Sequence, residues 1–181
     1  MHHPAAQRLM DDEAVDEELP VSALAHPLLF GLHRHWQEKR GARAMPARAD
    51  FRPEEMQPFL SHIFLVDVEH EPRRFRFRLI GTEIVTSYGM ELTGKYSDAV
   101  QPPVYRAMIE RHYGEVVDNA RPMVHRMRFV EQPGKVHQLM RLAMPLSNDG
   151  RQVNMLMMAS VFDQGLALLR ERQRAEQRSA G

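Results

Sequence analysis

The sequence predicts an α+β domain, a five-stranded antiparallel sheet with helices on one face and a helical extension at its N-terminus. Three observations lead there. The 181 residues are 43% apolar, enough for one domain around one core. The β-rich segments come as two before a long helix and three after it. They do not alternate with helices, as a doubly wound sheet would require. The segment RFRFRLI sets Phe75, Phe77 and Leu79 against Arg74, Arg76 and Arg78, the period of a strand with one buried face.

Residues 1–22 contain DDEAVDEE, acidic and poor in apolar groups. Such a stretch buries too little to offset its ordering entropy, so a disordered acidic arm is expected. His2 and His3 on that arm make no case for a metal site, and no metal motif is found elsewhere. Residues 23–60 read as the helical extension. Leu28, Leu29, Leu32 and Trp36 form one apolar stripe after Pro27, and Gly41 ends the helix. The stripe is expected to pack on the outer sheet face and to form a homodimer interface through this helix or that face. Asp50, followed by Pro53, Glu54 and Glu55, marks a second, short helix that Asp50 would cap.

Residues 61–163 form the core. His62–Glu69 and Arg74–Ile80 read as a hairpin around a polar break. Gly81 ends the second strand, Thr82 can cap a short helix, and Gly89 can end it. Residues 103–119 form the long helix, and strands follow at 122–130, 136–146 and 152–162. The last is nearly all apolar and belongs at the centre of the sheet, covered on both faces. Residues 164–181 read as a short C-terminal helix with a frayed basic tail.

Lys plus Arg equals Asp plus Glu, at 24 each, which gives no argument for nucleic acid or an anionic membrane. The absence of cysteine excludes disulfides, thiolate metal sites, a cysteine nucleophile and any cysteinyl cofactor adduct. No apolar run has the length of a membrane span, and the acidic N-terminus lacks the apolar segment of a secretory signal. A cytoplasmic protein is expected.

The segments PARADFRP, FRFRLIGTEI and GMELTGK carry a resemblance. Pro46, Arg48, Asp50 and Pro53, then Phe75, Arg78, Gly81 and Thr82, then Gly89, Thr93 and Gly94 are similar to short bacterial PAS-domain proteins. In that family a single PAS domain often stands with no output domain. The likeness runs from about Leu28 to Phe162. It implies a PAS fold and a signalling role, but no ligand. The expected function is a sensory or adaptor module that binds a small apolar molecule, a signalling protein partner, or both. The resemblance implies no particular cofactor, and none is expected here. In some PAS proteins a helix histidine ligates haem iron, a role for which His112 is the candidate here.

Strand parity and the covering segments assemble a candidate ligand pocket. It comprises Phe75, Phe77, Met123, His125, Met127 and Phe129 from the sheet, with Tyr88, Tyr105, Met108 and His112 from the segments above it. His125 is a polar group in an apolar wall and needs a partner, either in the protein or in a ligand. No catalytic motif is present: there is no GxSxG, HExxH or close carboxylate pair with a base. The chain is expected not to be an enzyme. Two alternatives are a ligand-free protein-interaction domain and a small cone-shaped lyase or isomerase with His125 or Asp67 as base.

Overall fold

The computed structural model describes residues 14–132 and 135–162, without the side chains of 130–132 and 135. The expected C-terminal helix and residues 1–13 of the acidic arm lie outside the described residues. The expectation of five strands falls one short. Six antiparallel strands form one sheet in the order β1-β4-β5-β6-β2-β3. They are β1 (Val15–Leu19), β2 (Ile63–His70), β3 (Arg73–Ile80), β4 (Met123–Gln132), β5 (Lys135–Leu146) and β6 (Met155–Phe162). Among the described residues four helices accompany them: α1 (Pro27–Arg40), α2 (Pro53–Met56), α3 (Thr82–Tyr88) and α4 (Pro103–Asn119). No helix among the described residues is long and apolar enough to cross a membrane.

The added strand is β1, drawn from the acidic arm, and it corrects the expectation of disorder there. Its sequence VDEEL buries little apolar surface, but it pairs with β4 opposite arginines. Glu17 binds Arg126 of β4, Glu18 lies 3.0 Å from Arg121, and Asp16 contacts both Arg111 and His112 of α4. Exposed pairs contribute no more than about 1 kcal/mol each. Their common register on one charged edge strand sets where β1 lies and helps guard the sheet edge.

Helices cover both faces of the sheet. Arg141 on β5 contacts Tyr105 of α4, so the face shared by Arg141, His125, Ser160 and Phe64 lies under α4. Leu142, Met144 and Leu146 point to the opposite face and are fully buried there. That face packs against α1, which contacts β5 and β6, and Trp36 Nε1 donates to the Pro145 carbonyl at 3.0 Å. The helices are thus not confined to one face. Leu29, Leu32 and Trp36 are buried within the chain and Leu28 is half-buried, so the stripe packs on the outer sheet face as expected and is not left open as a dimer interface. Strand β6 is central and buried, as its apolar sequence requires.

Two local expectations need correction. Phe75 and Phe77 are buried, but Leu79 is exposed, because a bulge lets Arg78 slip out of the ladder between Leu65 and Val66. The bulge reverses the parity that follows, so Ile80 instead of Leu79 joins Phe64 on the α4 side. Asp50 does not cap α2. Its carboxylate accepts from Ala47 N–H at 2.7 Å and pairs with Arg43 at 2.8 Å, holding the turn that precedes α2.

Gly81, not Thr82, is the N-cap of α3. A Cβ at Gly81 would lie 2.4 Å from the carbonyl oxygens of Leu60 and Ser61. Those neighbours are backbone and cannot step aside. Gly81→Ala is expected to cost about 1–3 kcal/mol of stability. Urea unfolding checks this, and an unchanged midpoint contradicts the close approach.

Candidate functional site

A cavity lies between α3, α4 and the α4-facing side of β2, β3 and β5. Phe64, Phe77, Ile80, Ile84, Leu92, Val100 and Ile109 give it apolar walls, and Tyr88, Tyr105, Tyr113, Gln101 and Arg141 add polar atoms. Its volume is about 30 Å³, room for a group of only a few heavy atoms with the side chains as they stand. The alternation of β3 delivers Phe77 and its bulge delivers Ile80. The N-cap at Gly81 sets α3 across the mouth, and Gly89, in the left-handed region at φ 69°, turns the chain out of α3.

Of the ten expected pocket residues, Phe77, Tyr88 and Tyr105 line this cavity. Phe75, Met108, Met123, Met127 and Phe129 are buried in the core beside it, where Phe129 stacks on Tyr105 at 4.2 Å between centroids. Arg141 is the polar residue that sequence reading missed. Its place in LMRLAMPL is legible, since an arginine there falls on a strand face with Leu139 and Ala143.

Arg141 is 1% exposed. Its Nε donates to Ser160 Oγ at 3.1 Å and its Nη2 donates to the Tyr105 hydroxyl, which in turn bonds the Tyr88 hydroxyl. The guanidinium carbon lies 5.0 Å from the Phe64 ring centroid and 5.6 Å from that of Tyr105. Nη1 is buried with no hydrogen-bond partner, and among the described residues no carboxylate pairs with the cation. Burial works against the charge, but the surrounding tyrosine oxygens favour it and leave the pKa above its ordinary value. Burial also pushes the Tyr88 and Tyr113 hydroxyls up, so both stay protonated.

His112 and His125 form a second cluster, outside the cavity. Their rings stack at 3.5 Å between centroids. His112 Nε2 lies 2.8 Å from Asp16 Oδ1, so this nitrogen donates to the carboxylate and faces β1 rather than the cavity. Burial raises the Asp16 pKa, but His112 and Arg111 outweigh it and hold the group below the ordinary carboxylate value. His125 Nε2 is 3.7 Å from Glu115, and its Nδ1 has no partner. His125 therefore belongs to an internal cluster. Asp67, the other residue considered as a base, lies on the opposite sheet face and accepts from Arg78 Nε at 2.9 Å.

Burial, with His112 beside it, lowers the His125 pKa from 6.5 to about 3. Between those values the unfolded chain binds a proton that the folded chain does not. Folding stability therefore rises with pH from about 3 to 6.5, by up to ~1.4 kcal/mol per pH unit from this ring. Urea unfolding at pH 4, 5, 6 and 7 is expected to give a shallower pH dependence in His125→Leu than in the parent. Equal slopes contradict the assignment.

Comparison with solved structures finds distant similarity. The PAS domain of Bordetella pertussis BvgS is 13% identical over 82% of this chain and 98% of that one, with TM-score 0.48. The dark structure of the blue-light photoreceptor Aureochrome1 LOV is 12% identical over 68% and 91%, with TM-score 0.46. The Rhodobacter sphaeroides LOV protein is 10% identical over 58% and 60%, with TM-score 0.46, so the chain spans less than two thirds of it. No curated protein matches by sequence. The family described as PAS domain matches residues 24–159, most of the chain, and its span takes in α1, the bulged hairpin, the cavity and the central strand. This chain belongs to the PAS-domain family.

Proposed function

We propose that the chain is a sensory PAS module that takes a small molecule in the cavity beneath α3 and α4 and passes the change to a signalling partner. The observation that carries this reading is the convergence of Tyr88, Tyr105 and Arg141 on an otherwise apolar cavity, with Arg141 Nη1 buried and unsatisfied. Binding sites have this composition: apolar walls and a few placed polar groups that fix orientation. A filled structural core has no use for a donor without an acceptor, because stranding one costs about 1–3 kcal/mol.

The present volume requires α3 and the irregular link at 89–96 to move outward when a ligand larger than a few atoms enters. That movement would be the signal. Residue Phe77 ties the two together, since its N–H bonds the Lys95 carbonyl at 2.9 Å and its carbonyl accepts from Gly94 N–H at 2.7 Å.

A partner protein or a second copy of the chain would have a surface to use. An open groove of about 410 Å³ on the opposite sheet face is lined by Val15, Met140 and Val161, with Arg126 and Arg128 beside them. It favours the second reading, an interaction domain whose partner binds here whether or not the cavity is filled.

Native mass spectrometry of freshly purified protein separates the readings. The expected result is a bound small molecule that is lost on denaturation and that, when returned, raises the melting temperature. No bound mass, and no thermal shift with a library of small apolar compounds, contradicts the ligand reading.

A further inference from the structure

We propose that the ligand is a small carboxylate with an apolar body, its carboxylate paired with Arg141 and a tyrosine hydroxyl. This deepens the reading above and rests on it.

A guanidinium cannot shed its proton in a protein, so Arg141 carries its charge into the core. Its two hydrogen-bond partners, Ser160 and Tyr105, are neutral hydroxyls. Charges taken out of water are ordinarily paired, and among the described residues this one is not. Asp16, the half-buried acid of β1, is committed to His112 and Arg111.

The donors are in surplus as well. Nη1 donates to nothing. Tyr88 and Tyr105 have two hydroxyl protons and share one bond between them, while the Tyr105 oxygen already accepts from Arg141. One phenol proton is left over in either assignment. What completes such a site is a group that only accepts and that carries negative charge, which describes a carboxylate. With one cation present, a monoanion balances the site and a dianion does not. Apart from Gln101 and Tyr113 the remaining walls are apolar, among them Ile80, Ile84, Leu92, Val100 and Ile109, so the body of the ligand is mostly apolar.

The test uses matched pairs of probes that differ only in the head group: hexanoate against hexanamide, and phenylacetate against phenylacetamide. Isothermal titration at pH 7 on the whole chain is expected to show each acid binding about ten-fold or more tightly than its amide. In Arg141→Met, which keeps the length of the side chain, that advantage is expected to disappear while the amides keep their affinity. Arg141→Lys is expected to retain part of it. If Arg141→Met does not fold, the acid–amide comparison in the parent and in Tyr88→Phe decides alone. Equal affinity of acid and amide overturns the carboxylate assignment and leaves the cavity as a ligand site. No binding by any of the four probes also overturns the assignment. In that case the cavity reading survives only if native mass spectrometry shows another compound bound.

Discussion

Arg141 places a permanent positive charge beneath α4, and much of the domain is arranged around holding it. The residue comes from β5, its hydrogen bonds reach β6 through Ser160 and α4 through Tyr105, and its guanidinium lies near the ring of Phe64 on β2. One side chain thus joins three strands and the long helix. Hydroxyls and aromatic faces can solvate a guanidinium in part, since each offers partial negative charge. They do not neutralise it, and Nη1 is left over. The same residue thus links the strands to the helix and leaves one buried donor without an acceptor.

Charge also decides the edge of the sheet. Strand β1 has two apolar residues in five and would not be held by burial. It is held because its acidic side chains meet Arg126 on β4 and Arg111, His112 and Arg121 at and beyond α4. The Asp16–His112 pair is the inner end of that arrangement and carries it to the stacked His112–His125 rings. Edge strand and helix are thus coupled through the Asp16–His112 pair.

How much of this could be read from the sequence follows from the range of each interaction. Elements fixed by local periodicity were legible: residues 103–119 match α4, and the apolar run at the C-terminal end of the domain is the central strand. Gly89 is legible as punctuation because the left-handed turn out of α3 demands it locally, whereas Gly81 is required by the backbone of Leu60 and Ser61, about twenty residues away. Strand β1 was not legible, since its partners lie about a hundred residues away and composition alone reports only missing apolar surface. Leu79 was misplaced because alternation cannot foresee a bulge. In the site, parity found Phe77, and the covering segments gave Tyr88 and Tyr105. It also gathered His112 and His125, which share the buried face but sit toward β1 rather than the cavity. Parity sets Arg141 on a face with Leu139 and Ala143, but a lone arginine in a strand reads as solvent-facing, and the strands and helix that bury it lie far away in sequence.

The account turns on Arg141 being a buried cation that the protein alone leaves incompletely satisfied. The direct measurement is the unfolding free energy of Arg141→Met against the parent, both refolded from denaturant so that no ligand is carried along. A fully satisfied structural cation would be missed, and removing it would cost several kcal/mol, as breaking a buried pair does. An incompletely satisfied one is an expense to the empty fold, so the account expects Arg141→Met to be as stable as the parent or more stable. A loss of about 3 kcal/mol or more in the ligand-free protein would contradict it.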